Sequence, residues 1–136
     1  LIISNKNIYC IQIIFELSKN YNKKLTHIND ISIKHNIPRG YLVQLLNKLK
    51  NQNIIKSYRG NKGGYKLAND PAKISLLNLI ETIEGGFNIF SNYNKNDAIK
   101  NIFNNVERKI KECMNISFKE ILLEQEKLNK NHMYYI

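Results

Sequence analysis

The sequence predicts a mainly α-helical fold with one small β-hairpin, and three observations carry that reading. Leu42, Leu45, Leu46 and Leu49 recur at i, i+3, i+4 and i+7, the spacing that lays one apolar stripe along a helix. Residues 54–58 and 65–68 are short runs rich in β-branched and aromatic side chains, and they flank a glycine-containing turn. A chain of 136 residues, 43% of them apolar, buries one core with an appended helix, which is too little for two ordinary domains.

In chain order, Ser4 is placed to cap a first helix that ends near Asn20. That helix has two apolar stripes, Ile8, Ile11 and Phe15 on one side and Cys10, Ile14 and Leu17 on another. It therefore needs covering twice, by its own core and by something further such as a partner subunit. Thr26 is expected to cap a short second helix over 28–35, with Ile28 and Ile31 inward. Asn36 and Ile37 make a tight turn, and Pro38 suits the first position of a third helix, where a missing N–H costs nothing. Opposite its leucines, that helix shows Arg39, Gly40, Val43, Gln44, Asn47 and Lys48. After the hairpin, Asn69-Asp70-Pro71 breaks the chain, and Ser75 caps a fourth helix over 76–84 that Gly85 and Gly86 stop.

Residues 87–96 read as a polar, Asn-rich loop. A long fifth helix over about 97–115 then aligns Ile99, Ile102, Phe103, Val106, Ile110 and Cys113 along one stripe. Its own fold leaves that stripe little to pack against, so it reads as a dimerisation helix that meets the spare face of the first helix in a partner subunit. Ser117 caps a last helix through about Lys127. The division expected is a first unit at 1–85, then loop, dimerisation helix and short terminal helix at 86–136.

Charge sharpens the picture. The net charge is +10, but a composition rich in Asn, Ile and Lys supplies lysine without functional demand. Its distribution says more: residues 1–85 hold 13 basic and 5 acidic side chains, against 8 and 6 in residues 86–136. Between Lys34 and Lys66 stand eight basic residues and no carboxylate. Composition bias explains abundant lysine but not the exclusion of every acid from one window, so a phosphate-facing surface is the reading preferred over a merely solvated face.

Two short helices, a tight turn, a third helix with a polar face and then a basic hairpin is the order of a winged helix-turn-helix. The major groove admits one α-helix, which must turn small or polar side chains outward while its leucines hold it to the core. Arg59, Asn61 and Lys62 among Gly60, Gly63 and Gly64 bring cations and bare backbone close to phosphates or a narrow minor groove.

The run Ile37-Pro38-Arg39-Gly40-Tyr41-Leu42-Val43-Gln44-Leu45-Leu46, then Ser57-Tyr58-Arg59-Gly60-Asn61-Lys62-Gly63-Gly64-Tyr65 and the Ile83-Glu84-Gly85 ending, resembles the Rrf2 family of bacterial regulators. The resemblance covers residues 4–85. It implies a homodimer, formed largely through the long penultimate helix, on a pseudo-palindromic operator in double-stranded DNA. It also implies that Tyr41, Gln44 and their neighbours face the major groove while Arg59 reaches the minor groove. Many members of this family hold an iron-sulfur cluster through three cysteines in and near the loop after the fourth helix, here about residues 87–105. This chain has none in that interval, so it is similar to the cluster-free branch, in which a thiol, a small-molecule effector or a protein partner carries the signal. Val43 stands where some relatives have an acid, so no operator sequence carries over.

Other readings weigh less. The opening 17 residues are apolar but interrupted by Asn5, Lys6, Asn7, Gln12 and Glu16, so they read as a buried helix and not a membrane span or leader. Two distant cysteines suggest neither disulfides nor a metal knuckle, which points to a reducing, cytoplasmic setting. Cys10 and Cys113 read as packing residues before redox sensors. His27 and His35 lack partners at ligand spacing. The ring of Tyr41 is open to packing or DNA contact. No catalytic constellation is visible, so no enzyme is expected. The competing functions are a winged-helix protein-interaction module and a thiol-based redox-sensing regulator.

Overall fold

Ser4 opens the first helix as its side chain requires: its hydroxyl accepts the Asn7 backbone N–H at 3.3 Å and satisfies a donor that has no intrahelical partner. The computed structural model describes residues 3–134. Within them α1 is Asn5–Lys19, α2 Ile28–His35, α3 Arg39–Asn51, β1 Ile55–Tyr58, β2 Gly64–Leu67, α4 Leu76–Glu84, α5 Ala98–Met114 and α6 Phe118–Tyr134. The fold is mainly helical with one antiparallel hairpin, in which Ile55 pairs with Leu67 and Tyr58 with Gly64.

Cys10, Ile13, Ile14 and Leu17 of α1 meet Ile31 of α2, the four leucines of α3, and Ile55 and Leu67 from the inner face of the hairpin. Each fully buried aliphatic side chain contributes about 1.5–3 kcal/mol of transfer free energy. Leu79 and Ile83 of α4 close one side. Phe118, fully buried in the same cluster, closes another from α6. Backbone bonds fix it there: Leu76 N–H donates to Ile116 O at 2.8 Å and Phe118 N–H to Ile74 O at 2.9 Å. Residues before and after Gly85 thus share one core, and α6 belongs to it.

Several local expectations need correcting. His27, not Thr26, occupies the N-cap of α2, because Thr26 is committed to an extended bridge with Tyr65. Pro38 is the N-cap of α3, one residue before its first helical position, with an extended ψ of 130°. The Asn69-Asp70-Pro71 break is a 3-10 turn over Pro71–Lys73, capped by the Asp70 carboxylate on Ala72 N–H at 2.8 Å. The last helix runs past Lys127 to Tyr134. It begins with a capping box, since Ser117 Oγ accepts Glu120 N–H at 3.1 Å while the Glu120 carboxylate accepts Ser117 N–H at 2.7 Å. The remaining tail positions lie outside the described residues.

Asn36 turns the chain between α2 and α3 in the left-handed conformation, at φ 52° and ψ 46°. Ile37 N–H then donates to Ser32 O at 3.1 Å, and the Ser32 hydroxyl donates to Ile37 O at 2.7 Å. Those bonds set the angle at which α3 leaves the core.

Candidate nucleic-acid interface

With its leucines buried, α3 turns Arg39, Gly40, Val43, Gln44 and Asn47 to solvent, and Lys48 is half-buried. Tyr41 is also half-buried: its ring meets Tyr9 of α1 edge-on at 5.8 Å, so packing claims the ring. Arg59, Asn61 and Lys62 are all exposed at the hairpin tip.

The wing is fixed to the helix-turn-helix at its root. Thr26, immediately ahead of the α2 cap, exchanges two backbone bonds of 2.9 Å with Tyr65 of β2. An open groove lined by His27, Ile28, Lys50, Tyr58, Arg59 and Gly60 therefore runs between the start of α2, the end of α3 and the wing. Two glycines permit this closeness. A Cβ on Gly64 would stand 2.8 Å from Thr26 O, and one on the buried Gly63 would strike the carbonyl oxygen of Tyr58. The Gly-Gly-Tyr run is thus a packing requirement of the wing's root.

Behind α2, the side chain of Glu16, only 9% exposed, accepts His35 Nε2 at 2.9 Å and approaches Lys34 Nζ at 3.1 Å and Lys19 Nζ at 3.2 Å. Burial pushes its pKa up, but the hydrogen bonds from His35, Lys34 and Lys19 outweigh that and hold the carboxyl below its usual value. The ionised clamp ties the end of α2, and so the turn into α3, to α1.

The fifth helix buries none of its residues within the chain. Ile99, Ile102 and Val106 are 50%, 60% and 39% exposed, and Ile110 is half-buried. Cys113 is exposed in the single chain, like Ile99 and Ile102 of the stripe. One member behaves differently from expectation. Phe103 is engaged locally: Phe90 stacks on it at 4.1 Å and Tyr93 meets it edge-on at 5.3 Å. The Tyr93 hydroxyl donates to Asp97 at 2.6 Å, Lys100 Nζ to Tyr93 O at 3.2 Å, and Ile89 N–H to the Glu107 carboxylate at 2.8 Å. The Asn-rich loop is therefore pinned along α5 by aromatic packing.

Residues 3–125 match the model of the Rrf2 family, described as an iron-dependent transcriptional regulator. The chain belongs to the Rrf2 family. It is 36% identical over 83 residues to the HTH-type transcriptional regulator CymR of Bacillus subtilis, an alignment spanning 61% of this chain and 60% of that relative. Its fold is similar to the solved structure of CymR (YrzC), the global cysteine regulator of B. subtilis. There the TM-score is 0.81 with 28% identity, over 89% of this chain and 95% of that one. T. potens IscR superposes with a TM-score of 0.78 at 25% identity, over 94% of this chain and 90% of that one. The winged-helix architecture expected from the sequence is the architecture of these Rrf2 proteins.

Iron dependence in an Rrf2 protein requires donors, and the residues here do not fit a thiolate-held cluster. Residues 87–105 contain no cysteine, and Phe90, Tyr93 and Phe103 fill the space between loop and helix. Among the described residues, no three His, Cys, Asp or Glu side chains converge as a metal site.

Sequence reasoning missed Glu16 and Thr26 as positioning residues. Glu16 is the lone acid of α1 and interrupts the apolar run Ile13-Ile14-Phe15-Glu16-Leu17, which was the available signal. Thr26 gave none, because a helix cap and a strand bridge both favour threonine.

Proposed function

We propose that this chain is a sequence-specific DNA-binding regulator, a repressor that holds a pseudo-palindromic operator as a homodimer and carries no iron-sulfur cluster. The observation that carries the proposal is the pair of bonds between Thr26 and Tyr65, which ties the wing to the start of α2 and so to the helix-turn-helix that holds α3. Arg39, Gly40, Val43, Gln44 and Asn47 face the major groove, with Lys48 and the Tyr41 hydroxyl at its margin, while Arg59, Asn61 and Lys62 enter the adjacent minor groove. The exposed Ile99, Ile102 and Val106 supply the dimer seam, with Ile110 and Cys113 continuing it and Phe103 contributing its edge. The partner is double-stranded DNA in the cytoplasm, and no catalytic activity is involved. The name of the cysteine regulator CymR supports a regulatory reading, and the missing thiolates support a cluster-free one.

Selection of bound fragments from genomic DNA, followed by footprinting, tests the proposal. One short two-fold symmetric sequence is expected, bound with an affinity that falls steeply as salt rises. Equal affinity for unrelated duplexes would leave the chain a winged-helix interaction module instead.

A further inference from the structure

The outer face of the hairpin carries charge that α3 and the wing tip do not use. Lys56 and Lys66 are directly opposite each other in the strand register, an arrangement that repels. Lys23 and Lys24 join them from the turn between α1 and α2, and with Tyr21 these four lysines line a groove that has no carboxylate among its lining residues. All four are exposed. The turn is held in place, not loosely apposed: Lys23 and Lys24 N–H both donate to Asn20 O, and Asn20 Nδ2 donates to Thr26 Oγ1 at 2.7 Å.

What sets the cluster apart is its local density, two lysines opposed across the strands and two more from the turn sharing one groove. Three lysines elsewhere stand beside acids, Lys6 beside Glu84 and both Lys19 and Lys34 beside Glu16. Among the described residues, the four lysines of this groove form no ion pair. Four like charges gathered with no internal counter-ion fit an external polyanion.

We infer that this groove is a second phosphate-binding surface, for the duplex that flanks the operator on the far side of the wing. The inference rests on the DNA-binding reading and extends it. Its cations continue those of Arg59 and Lys62 back along the hairpin, whose four-residue strands span about 13 Å, or roughly four base pairs. A duplex whose minor groove takes the wing tip continues past this band, and its successive phosphates bring a counter-charge to each of the four lysines. Nothing in this contact reads bases, so it adds affinity without specificity.

The test uses the selected operator in two forms, trimmed to its footprinted core and extended by ten base pairs of unrelated sequence on each side. The unaltered protein is expected to bind the extended form about tenfold more tightly near physiological salt, with a steeper salt dependence. The variant K23Q/K24Q/K56Q/K66Q is expected to lose that gain while binding the core duplex within about twofold of the unaltered protein. The milder K23Q/K24Q, confined to an exposed turn, is expected to lose about threefold of it. An extension that gives no gain, a gain that survives in the fourfold variant, or an equal loss on both duplexes overturns the inference. So does a variant that binds both duplexes normally but fails to regulate in cells, which assigns the groove to an acidic protein. Failure of the unaltered protein to prefer its core duplex sinks the DNA reading itself, a separate result.

Discussion

Glu16 on α1 and His35 at the end of α2 are joined by a 2.9 Å hydrogen bond across the rear of the helix-turn-helix. Lys34 and Lys19 complete the set around the carboxylate. Removing its charge with Glu16→Gln is expected to cost about 2 kcal/mol at neutral pH, read by denaturant unfolding. The pH dependence has a definite sign. Because the folded carboxyl titrates below its unfolded value near 4.5, the unfolded chain binds more protons in that interval. The stabilisation is complete above the unfolded value and drains away as pH falls through the folded one. The stability gap between the unaltered protein and the Glu16→Gln variant should therefore narrow below about pH 4.5. A constant gap from about pH 3 to 7 would rule out an ionised clamp.

Gly64→Ala places a methyl group 2.8 Å from the Thr26 carbonyl oxygen, and Gly63→Ala drives one into the Tyr58 carbonyl. Each is expected to lower stability by about 1–3 kcal/mol and to loosen the Thr26–Tyr65 bridge. Faster amide exchange at Thr26 and Tyr65 is the direct readout. Unchanged exchange in a folded variant would show that the wing's root does not depend on these glycines.

Gln44→Ala and Arg59→Ala separate reading from holding. Loss of Gln44 is expected to cost about 1–3 kcal/mol on the operator and to relax preference at one base pair of each half-site. Loss of Arg59 is expected to weaken all AT-rich duplexes and to reduce the salt slope by about 1. Competition binding against single-base operator variants tells the two apart.

Ile102→Asp puts a carboxylate in the middle of the exposed stripe of α5, where Ile102 is 60% exposed in the single chain. Sedimentation is expected to show a folded monomer, and affinity for the two-fold operator should fall at least about 100-fold as paired half-sites separate. A variant that remains dimeric moves the seam to another face.

The two cysteines should differ in reactivity. Burial pushes the Cys10 thiol up to about 11, while Cys113 is exposed near the end of α5. An alkylating reagent at about pH 8 is expected to label Cys113 first and Cys10 only on unfolding. If α5 forms the dimer seam, labelling of Cys113 should slow as protein concentration rises. Rates independent of concentration count against its place in that seam.

The third helix was legible because one-sided burial writes itself as spacing: the α3 leucines occupy the face their periodicity predicts. Side chains with two physical uses were harder. Thr26 suits a cap or a bridge, and Pro38 suits the N-cap or the first helical turn, so both were placed one role away from the one they fill. Phe103 belongs by period to the α5 stripe, yet Phe90 and Tyr93, thirteen and ten residues earlier, claim its ring. No periodicity spans a loop, so a contact of that kind leaves no pattern to find. The exposed cationic surface of α3 and the wing was legible through the missing acids of 34–66, whereas the Glu16 clamp was hidden because its cations come from two helices.

The ring stack of Phe90 on Phe103 makes the loop's hold on α5 a matter of apolar contact as well as hydrogen bonding. Any group that came to occupy this segment would first have to prise one aromatic face from the other.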